Sequence, residues 1–293
     1  MKRVLITGLS GWIGHYLYLS CPPGIKLSGT VRDDDRFNPP SHQTEVTMEF
    51  LDLYQPVAKQ LDDLKVDILI HTAAMSSMGE CEKDGDAARQ INFKATYELA
   101  EWCRQRDCRF VYLSTDIVFD GHHAPYREDD TPQPINQYGI TKLQGEKSVA
   151  SILRDYTIVR IALGLGRGIG NTSNFVDWFL DKINRNQTIT LFKDEVRTPT
   201  AIRPLARAIW QIALSPETGI FHLCGQQKLN RLQLGKLFCD ELGQGHELLK
   251  PISLADTKDY PRPADVSMQS TRSVLGKKIQ IPPISDYITY MIR

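Results

Sequence analysis

The stretch that decides the fold is Val4-Leu5-Ile6-Thr7-Gly8-Leu9-Ser10-Gly11-Trp12-Ile13-Gly14. A short apolar run, typical of a parallel strand that is buried on both faces, leads into three glycines at three-residue intervals. In such a turn Gly8 permits the sharp change of direction, Gly11 lets the backbone approach a ligand, and Gly14 lets the next helix pack against the strand. The free N–H groups of a helix N-terminus attract an anion such as a pyrophosphate. The stretch therefore predicts a dinucleotide-binding turn.

The composition is that of an ordinary globular protein. The chain has 293 residues, 41% of them hydrophobic and 24% charged, with Lys+Arg 35 against Asp+Glu 35. Zero net charge gives no reason to expect nucleic acid or an anionic membrane as a partner. No apolar run approaches the roughly 18 residues of a membrane helix, and the run after the first residues is too short for a signal peptide. The six cysteines form no C-x-x-C pair, which predicts reduced thiols in a cytoplasmic protein and no metal site.

Apolar runs and helix-compatible segments alternate along the chain. A helix is predicted over 55–64 and another over 86–103, where apolar residues recur at three- and four-residue spacing. Strands alternating with helices predict an α/β fold, a Rossmann-type doubly wound parallel sheet. After the first strand, the predicted strands are 26–32, 49–53, 66–74, 109–115, 156–161 and 219–223.

The character of the sequence changes after Leu163. Glycines stand at positions 164, 166, 168 and 170, and the tail from Lys250 onward is rich in proline. These segments predict a smaller C-terminal substrate-binding lobe, formed by about 163–199 and 246–293. The NAD(P)-binding Rossmann domain would then comprise 1–162 and about 200–245. Ligands of such folds lie in the crevice beyond the carboxyl ends of the strands.

The end of the second predicted strand bears on the choice of cofactor. Arg32 stands there, followed by Asp33-Asp34-Asp35. An acid at this place accepts from the ribose 2′-OH of NAD, whereas an arginine accommodates the 2′-phosphate of NADP. Because Arg32 comes first, we predict NADP (NADPH) as the preferred cofactor, with NAD as the alternative. The predicted cofactor contacts are Gly8, Gly11, Trp12, Ile13, Gly14, Arg32, Asp52 and Leu53 near the adenine, and the small residues Ala73 and Ala74.

A phenol and an ammonium group lie four residues apart in Tyr138 and Lys142, on one face of a helix. A tyrosine titrates near ~10, and a nearby ammonium favours the phenolate and lowers that pKa. Such a tyrosine can protonate a carbonyl oxygen while hydride reaches the carbon. The hydroxyl of Thr115, at a predicted strand end, could hold the same oxygen, although it could equally bond its own loop. Asp116 and Asp120 are interpreted as turn residues.

Three motifs together resemble the extended short-chain dehydrogenases/reductases, and within them the dTDP-4-dehydrorhamnose reductase-like branch. They are Gly8-x-x-Gly11-x-x-Gly14, Ser114-Thr115-Asp116-x-Val118-Phe119-Asp120-Gly121 and Tyr138-Gly139-x-Thr141-Lys142. The resemblance implies that Thr115, Tyr138 and Lys142 are catalytic. It also implies that Tyr138 and Lys142 contact the cofactor, with Lys142 at the nicotinamide ribose. Asn92 matches an asparagine that supports the catalytic lysine in relatives; simple packing is the alternative.

Substrate contacts are predicted at Thr115, Asn174, Arg197 and Arg262. Asn174 follows the glycine-rich loop, which could hold a diphosphate through its N–H groups or serve as a lid. Arg197-Thr198-Pro199-Thr200 and Arg262-Pro263 also resemble segments of the branch. The two arginines are candidate anion partners, and an ordinary surface role is the alternative for each.

The combined prediction is an NAD(P)H-dependent reductase of a keto group on a nucleotide-linked or modified sugar, with Tyr138 as proton donor. One alternative is an epimerase or dehydratase of the same fold, for which Asp116 would be the additional acid. Another is a non-catalytic NADP-binding regulatory subunit, a role that one relative in the branch has. The expected partner is a small-molecule substrate, a sugar nucleotide in the first place, and self-association into a homodimer is left open.

Overall fold

The centre of the protein is a seven-stranded parallel sheet. The computed structural model describes residues 1–32, 45–169, 174–279 and 281–292. The strands are β1 (Lys2–Thr7), β2 (Ile25–Val31), β3 (Val46–Phe50), β4 (Ile68–His71), β5 (Arg109–Thr115), β6 (Tyr156–Ile161) and β7 (Gly219–Leu223). The last three coincide with the predicted strands. The third strand ends earlier than predicted, so that Asp52 and Leu53 follow it instead of ending it.

The strand order β3-β2-β1-β4-β5-β6-β7 is that of a doubly wound sheet. Strand β1 pairs with β2 on one side and with β4 on the other, and Thr7 lies opposite His71 in the register. The chain therefore leaves β1 and β4 toward opposite halves of the sheet, which opens a crevice at their carboxyl ends. The predicted Rossmann-type α/β fold is confirmed.

Helices cover both faces of this sheet and also form much of the C-terminal part of the chain. They are α1 (Trp12–Leu19), α2 (Val57–Leu61), α3 (Met78–Lys83), α4 (Gly85–Arg89), α5 (Ala95–Gln105), α6 (Gln137–Ile152), α7 (Phe175–Asn184), α8 (Ile202–Leu214), α9 (Arg231–Leu242) and α10 (Ile288–Ile292). A π-helical segment, Gln90–Lys94, joins α4 to α5, so the predicted helix 86–103 is divided into three parts. Three short 3-10 turns complete the list: Asp116–Val118, Leu254–Asp256 and Ile284–Tyr287.

Two hydrophobic clusters hold the helices to the sheet. Helices α1 and α8 pack on one face, where the indole Nε1 of Trp210 donates to the carbonyl oxygen of Leu17 at 2.9 Å. Helices α2, α5 and α6 pack on the other face, around side chains that include Trp102 and Phe110. Each large apolar side chain buried in this way contributes roughly 1.5–3 kcal/mol. Both faces are covered, which explains the nearly continuous apolar runs of the strands.

A third hydrophobic cluster lies in the C-terminal part of the chain. It joins Phe179 of α7, Phe238 of α9 and Met291 of α10. Short strand pairs border it: Gly164–Leu165 with Thr200–Ala201, Val196–Arg197 with Leu229–Asn230, and Ile189–Phe192 with Leu249–Ile252; a further hairpin pairs Ser273–Val274 with Lys277–Lys278. Residues from about 200 to 245 are predicted to belong to the Rossmann domain, and α9, which lies in that range, contributes its apolar side chains to this cluster.

Some predicted features lie outside the described residues, namely Asp33-Asp34-Asp35 and residues 170–173. Across the described ranges, no helix is both long and apolar enough to cross a membrane. Within the same ranges, no group of three or more His, Cys, Asp and Glu side chains is arranged to hold a metal ion.

Candidate active site

The glycine turn between β1 and α1 leaves no room for side chains. Gly8 has φ +69°, and a Cβ there would lie 2.9 Å from Ala73 Cα. A Cβ on Gly14 would lie 2.3 Å from the carbonyl oxygen of Gly8. Gly11 precedes α1 and provides no side-chain cap, so the first N–H groups of the helix are left for an external acceptor. These features fit the pyrophosphate of a dinucleotide.

Most of the other predicted cofactor residues lie at the same edge of the sheet. Arg32 follows β2 and is exposed. Asp52 follows β3, and its Oδ1 accepts from the N–H of Tyr54 at 2.9 Å. The carbonyl oxygen of Leu53 accepts from Gln90 Nε2 at 3.2 Å. Ala73 and Ala74 follow β4 directly beside Gly8, where their small size keeps the crevice open.

Trp12 and Ile13 contact other parts of the protein. The indole Nε1 of Trp12 donates to the carbonyl oxygen of Arg167 at 2.9 Å, and the hydroxyl of Tyr16 donates to the same oxygen at 3.1 Å. Ile13 packs against the hydrophobic cluster beneath α1. Trp12 therefore fixes the loop after β6 over the glycine turn.

Hydrogen bonds to two side chains fix the N-terminus of helix α6. Asn136 caps it by accepting from the N–H of Gly139 at 2.9 Å, and the carboxylate of Glu82 accepts from the N–H of Gln137 at 2.6 Å. Asn136 Nδ2 also donates to the carbonyl oxygen of Pro261 at 3.1 Å. The caps fix the orientation of the helix that carries Tyr138 and Lys142.

The structure brings Tyr138 together with Thr115. The phenol of Tyr138 lies close enough to the hydroxyl of Thr115, at the carboxyl end of β5, for this hydroxyl to favour the phenolate. Burial nevertheless raises the pKa of Tyr138 to about 12, and the interaction with Thr115 only opposes that rise. A net lowering of this pKa was predicted from the spacing of Tyr138 and Lys142. The net shift is the opposite, because the loss of solvation outweighs the interactions with Thr115 and Arg197 that favour the phenolate.

Lys142 lies over an aromatic ring inside the protein. The side chain is 3% exposed, and its Nζ is 4.1 Å from the centroid of the Tyr112 ring. Burial lowers the pKa of Lys142 to about 7. The ring of His71 stacks on Tyr112 at 5.7 Å and bonds to Thr7 Oγ1 at 2.7 Å and Thr96 Oγ1 at 3.1 Å. Burial lowers the pKa of His71 to about 3, so this imidazole is neutral.

Asn92 supports the site indirectly. Its Oδ1 accepts from the N–H of Met75 at 2.9 Å and its Nδ2 donates to the carbonyl oxygen of Met75 at 3.0 Å. Nδ2 also donates to Thr141 Oγ1 at 3.1 Å. Asn92 therefore joins the segment after β4 to α6 and positions the residue next to Lys142. Its place in the π-helical segment is typical of functional sites.

Two predicted residues, Asp116 and Arg197, form a buried ion pair. Arg197 donates through Nε and Nη2 to both carboxylate oxygens, and Thr115 Oγ1 donates to Asp116 Oδ1 at 3.1 Å. Burial raises the pKa of the Asp116 carboxyl, which Arg197 counteracts. Arg197 is therefore no free anion partner, and Asp116 is more than a turn residue. Asp120 does act in a turn, accepting from the N–H of His122 at 3.0 Å.

Arg262 belongs to a group of arginines around Glu195. The carboxylate of Glu195 lies 3.8 Å from Arg197 Nη1, 3.6 Å from Arg231 Nη2 and 3.9 Å from Arg262 Nη1. Among the described residues, the buried atoms Arg231 Nη1 and Arg262 Nε have no hydrogen-bond partner. Arg231 was not predicted as a site residue, because nothing in the local pattern distinguishes it from an ordinary residue at a helix start.

Asn174 lies next to this group of arginines. Its Oδ1 caps α7 by accepting from the N–H groups of Val176 at 2.9 Å and Asp177 at 3.1 Å. Its neighbour Phe175 lies 4.9 Å below the guanidinium of Arg231. In the described structure, the buried Nδ2 of Asn174 has no partner. The site thus combines a donor-rich region with the Thr115–Tyr138 pair.

The comparisons with known proteins agree with this architecture. The probable low-salt glycan biosynthesis reductase Agl14 of Haloferax volcanii is 29% identical over 257 residues, which are 86% of this chain and 84% of that protein. Methionine adenosyltransferase 2 subunit beta of Bos taurus is 28% identical over 277 residues, which are 92% of this chain and 81% of that protein.

A solved structure and a family match lead to the same conclusion about the fold and the family. A crystal structure of dTDP-4-dehydrorhamnose reductase from Bacillus anthracis in complex with NADP shares the fold, with a TM-score of 0.85, 24% identity and 99% coverage of both chains. Residues 1–292 match the family described as RmlD substrate binding domain. The resemblance inferred from the three motifs is confirmed, and the chain belongs to the RmlD substrate binding domain family.

Proposed function

We propose that the protein is an NADPH-dependent reductase of a keto group on a nucleotide-linked sugar. The observation that carries the proposal is the proximity of the Thr115 hydroxyl to the Tyr138 phenol, with Lys142 one helical turn further on. These groups lie at the carboxyl end of the strand next to β4, beside the glycine turn. A proton donor at that place suits a carbonyl held next to a nicotinamide.

The residues around the glycine turn fit a dinucleotide. The space that a Cβ on Gly8 or Gly14 would fill, and the uncapped N-terminus of α1, suit a pyrophosphate. Arg32 would hold the 2′-phosphate of NADP, and Asp52 and Leu53 would lie near the adenine. When bound, the reduced nicotinamide supplies a hydride. NADP in the Bacillus anthracis reductase supports this choice of cofactor.

Side chains of the protein control the transfer of the proton to the substrate oxygen. Because the pKa of Tyr138 is raised to about 12, the phenol keeps its proton until a strongly basic alkoxide forms beside it. Thr115 orients the carbonyl oxygen toward the phenol. Lys142, as an ammonium one turn along α6, stabilises the phenolate that remains and also binds the cofactor.

The donor-rich region fits an anionic substrate. Arg231 Nη1, Arg262 Nε and Asn174 Nδ2 are buried donors without partners in the described structure. Leaving such groups unpaired is costly, and a diphosphate would satisfy several of them at once. We therefore propose Thr115, Asn174, Arg262 and Arg231 as substrate contacts. Arg197 contributes mainly by holding Asp116.

The structure bears differently on the two alternative functions, a dehydratase and a regulatory subunit. A dehydratase would need a free acid beside Thr115, but the carboxylate of Asp116 is bonded to Arg197 and Thr115. The similarity to methionine adenosyltransferase 2 subunit beta favours a regulatory subunit as the second candidate. Such a subunit would bind NADP without turning over a sugar.

The test uses the purified protein, NADPH and a panel of nucleotide-linked keto sugars, each paired with the same sugar lacking the nucleotide. We expect NADPH consumption that matches the hydroxyl product formed, and only with the nucleotide-linked substrates. Conversion without net NADPH consumption would identify an epimerase or dehydratase. NADPH binding without turnover of any substrate, together with co-purification of a partner enzyme, would favour the regulatory subunit.

We further propose a location, an oligomeric state and a domain division for the protein. Cys81, Cys103, Cys108, Cys224 and Cys239 are unbridged thiols, which supports a cytoplasmic location. We propose that the protein forms a homodimer, and sedimentation velocity would show this as twice the mass of one chain. We also propose that the chain has two parts. The cofactor domain comprises 1–162, α8 and β7, and α9 is grouped with about 163–199 and 246–293 in the smaller lobe because of its packing.

A further inference from the structure

A buried network lies directly beyond Lys142 on helix α6. Glu146 follows Lys142 by four residues, so the two side chains share a face of the helix. Arg160 from β6 donates to Glu146 Oε1 through Nε at 3.0 Å and to Oε2 through Nη2 at 2.8 Å. Ser114, the residue before Thr115, donates its hydroxyl to Glu146 Oε1 at 2.5 Å. All of these side chains are buried, and Glu146 is 3% exposed.

Five titratable groups face Lys142 from the elements packed around it. They are His71 of β4, Cys81 of α3, Tyr112 of β5, and Tyr138 and Glu146 of α6. The first four are neutral at neutral pH, because burial depresses the pKa of the imidazole and raises those of the thiol and the phenols. Within this set, the negative charge comes from Glu146.

The network divides one carboxylate between two buried cations. Arg160 takes both oxygens of Glu146, so Lys142 interacts with a carboxylate that is already paired. Burial lowers the pKa of Lys142 and Glu146 raises it, with a result of about 7. A buried carboxylate one helical turn away therefore favours the ammonium form of Lys142 and opposes the effect of burial. A cation that stabilises a phenolate has to carry that charge.

We propose that Glu146 is a positioning residue of the reduction, anchored by Ser114 and Arg160, whose carboxylate keeps Lys142 in its ammonium form. This inference rests on the proposed function, since the charge of Lys142 matters for binding NADPH and stabilising the Tyr138 phenolate. Glu146 acts through Lys142 and touches neither substrate nor cofactor. Ser114 links the network to the strand that carries Thr115, so the charge and the hydroxyl are held by one structural unit.

The experiment measures the titration of Lys142 directly, by NMR of its side-chain Cε in the full-length protein without added cofactor. The resonance is assigned with Lys142→Arg. In Glu146→Gln we expect the midpoint of the Lys142 titration to lie about one to two pH units below that of the parent protein. The reason is that a partly screened negative charge near the ammonium group is lost. Glu146→Asp, which keeps the carboxylate, should restore most of the midpoint. The fall of NADPH affinity with rising pH should shift in parallel.

Glu146→Gln leaves Arg160 buried without its partner and can unfold. In that case the double variant Glu146→Gln/Arg160→Met is compared with Arg160→Met, which keeps the carboxylate, because the loss of the Arg160 charge by itself raises the midpoint. The double variant should titrate below Arg160→Met. Equal midpoints in either folded pair, Glu146→Gln with the parent or the double variant with Arg160→Met, would overturn the proposal. The NMR readout needs no substrate, so failure of the reductase assignment would appear separately, as absent turnover in the substrate panel with the Lys142 titration intact.

Discussion

The guanidinium of Arg197 holds the carboxylate of Asp116 in a buried ion pair, beside the hydroxyl of Thr115. The pair joins residues 81 positions apart, one after β5 and one in a short strand near α8. Asp116 is fully buried, and Thr115 Oγ1 donates to it at 3.1 Å. The ion pair therefore fixes the carboxylate beside this hydroxyl, which has to turn its proton from Asp116 to the substrate oxygen in order to hold it. It also occupies the acid that a dehydratase would need.

Replacing Arg197 should destabilise the protein. In Arg197→Met the carboxylate of Asp116 loses its partner inside the protein, and we expect a loss of about 3 kcal/mol in the free energy of unfolding. Urea unfolding followed by circular dichroism measures this. The double variant Asp116→Asn/Arg197→Met should recover much of the loss, because no unpaired charge is left. Equal stability of Arg197→Met and the parent would show that the ion pair is not formed in solution.

Adding one methyl group to the glycine turn should abolish cofactor binding. In Gly14→Ala the new Cβ would lie 2.3 Å from the carbonyl oxygen of Gly8, so the turn has to open. We expect NADPH affinity, measured by fluorescence titration, to fall more than ~10-fold, or about 1.4 kcal/mol. Gly85→Ala is the matched control, since its Cβ would meet Gln137 only at 3.7 Å. Unaltered binding by Gly14→Ala would rule out the glycine turn as the pyrophosphate site.

Arg32 should determine the preference for NADPH. In Arg32→Ala we expect the affinity for NADPH to fall by about 10- to 100-fold, the value of one charge-assisted hydrogen bond of roughly 1.5–3 kcal/mol. The affinity for NADH, which lacks the 2′-phosphate, is the internal control and should change little. Competitive titration of both cofactors gives the two constants. An equal loss for both would mean that Arg32 does not read the 2′-phosphate.

The buried histidines should make the protein less stable in mild acid. Burial lowers the pKa of His71 to about 3 and that of His222 to about 4. An unfolded histidine titrates near ~6.5, so these residues contribute stability that is complete above that pH and lost as pH falls below it. We expect each to add about 1.4 kcal/mol per pH unit to the slope between roughly pH 6 and 5.

The variant His71→Gln tests this expectation. It should lose stability at neutral pH, because the bonds to Thr7 and Thr96 are disturbed, but it should show a shallower dependence on pH. His222 remains and supplies the other part of the slope. Unfolding free energies at several pH values in the same buffer series give both slopes. If the two proteins had equal slopes, His71 would not be buried in neutral form.

Local sequence patterns predicted the elements whose environment is uniform along their length. Strands β5, β6 and β7 match because a central parallel strand is apolar throughout and ends where polar residues begin. Strand β3 lies at the edge of the sheet, and its pairing with β2 places it at Val46–Phe50, earlier than the composition of 49–53 indicated. Its bounds follow from register, which a local pattern does not contain.

The missed features all depend on contacts between distant residues. The π-helical segment forms where Asn92 bonds to the backbone of Met75, 17 positions away, so helical periodicity alone predicted one continuous helix. Glu195 brings Arg231 near Arg197 and Arg262 through the folded chain. The raised pKa of Tyr138 likewise comes from burial, which the spacing of Tyr138 and Lys142 could not reveal.

The central claim is that Tyr138 donates the proton during reduction, and Tyr138→Phe tests it most directly. We expect its kcat with NADPH and the best keto-sugar substrate to fall by about 10²- to 10⁴-fold, while its affinity for NADPH stays nearly that of the parent. Tyr97→Phe, an exposed tyrosine on α5, is the matched control and should retain the parental rate. Turnover by Tyr138→Phe at the parental rate would contradict the account.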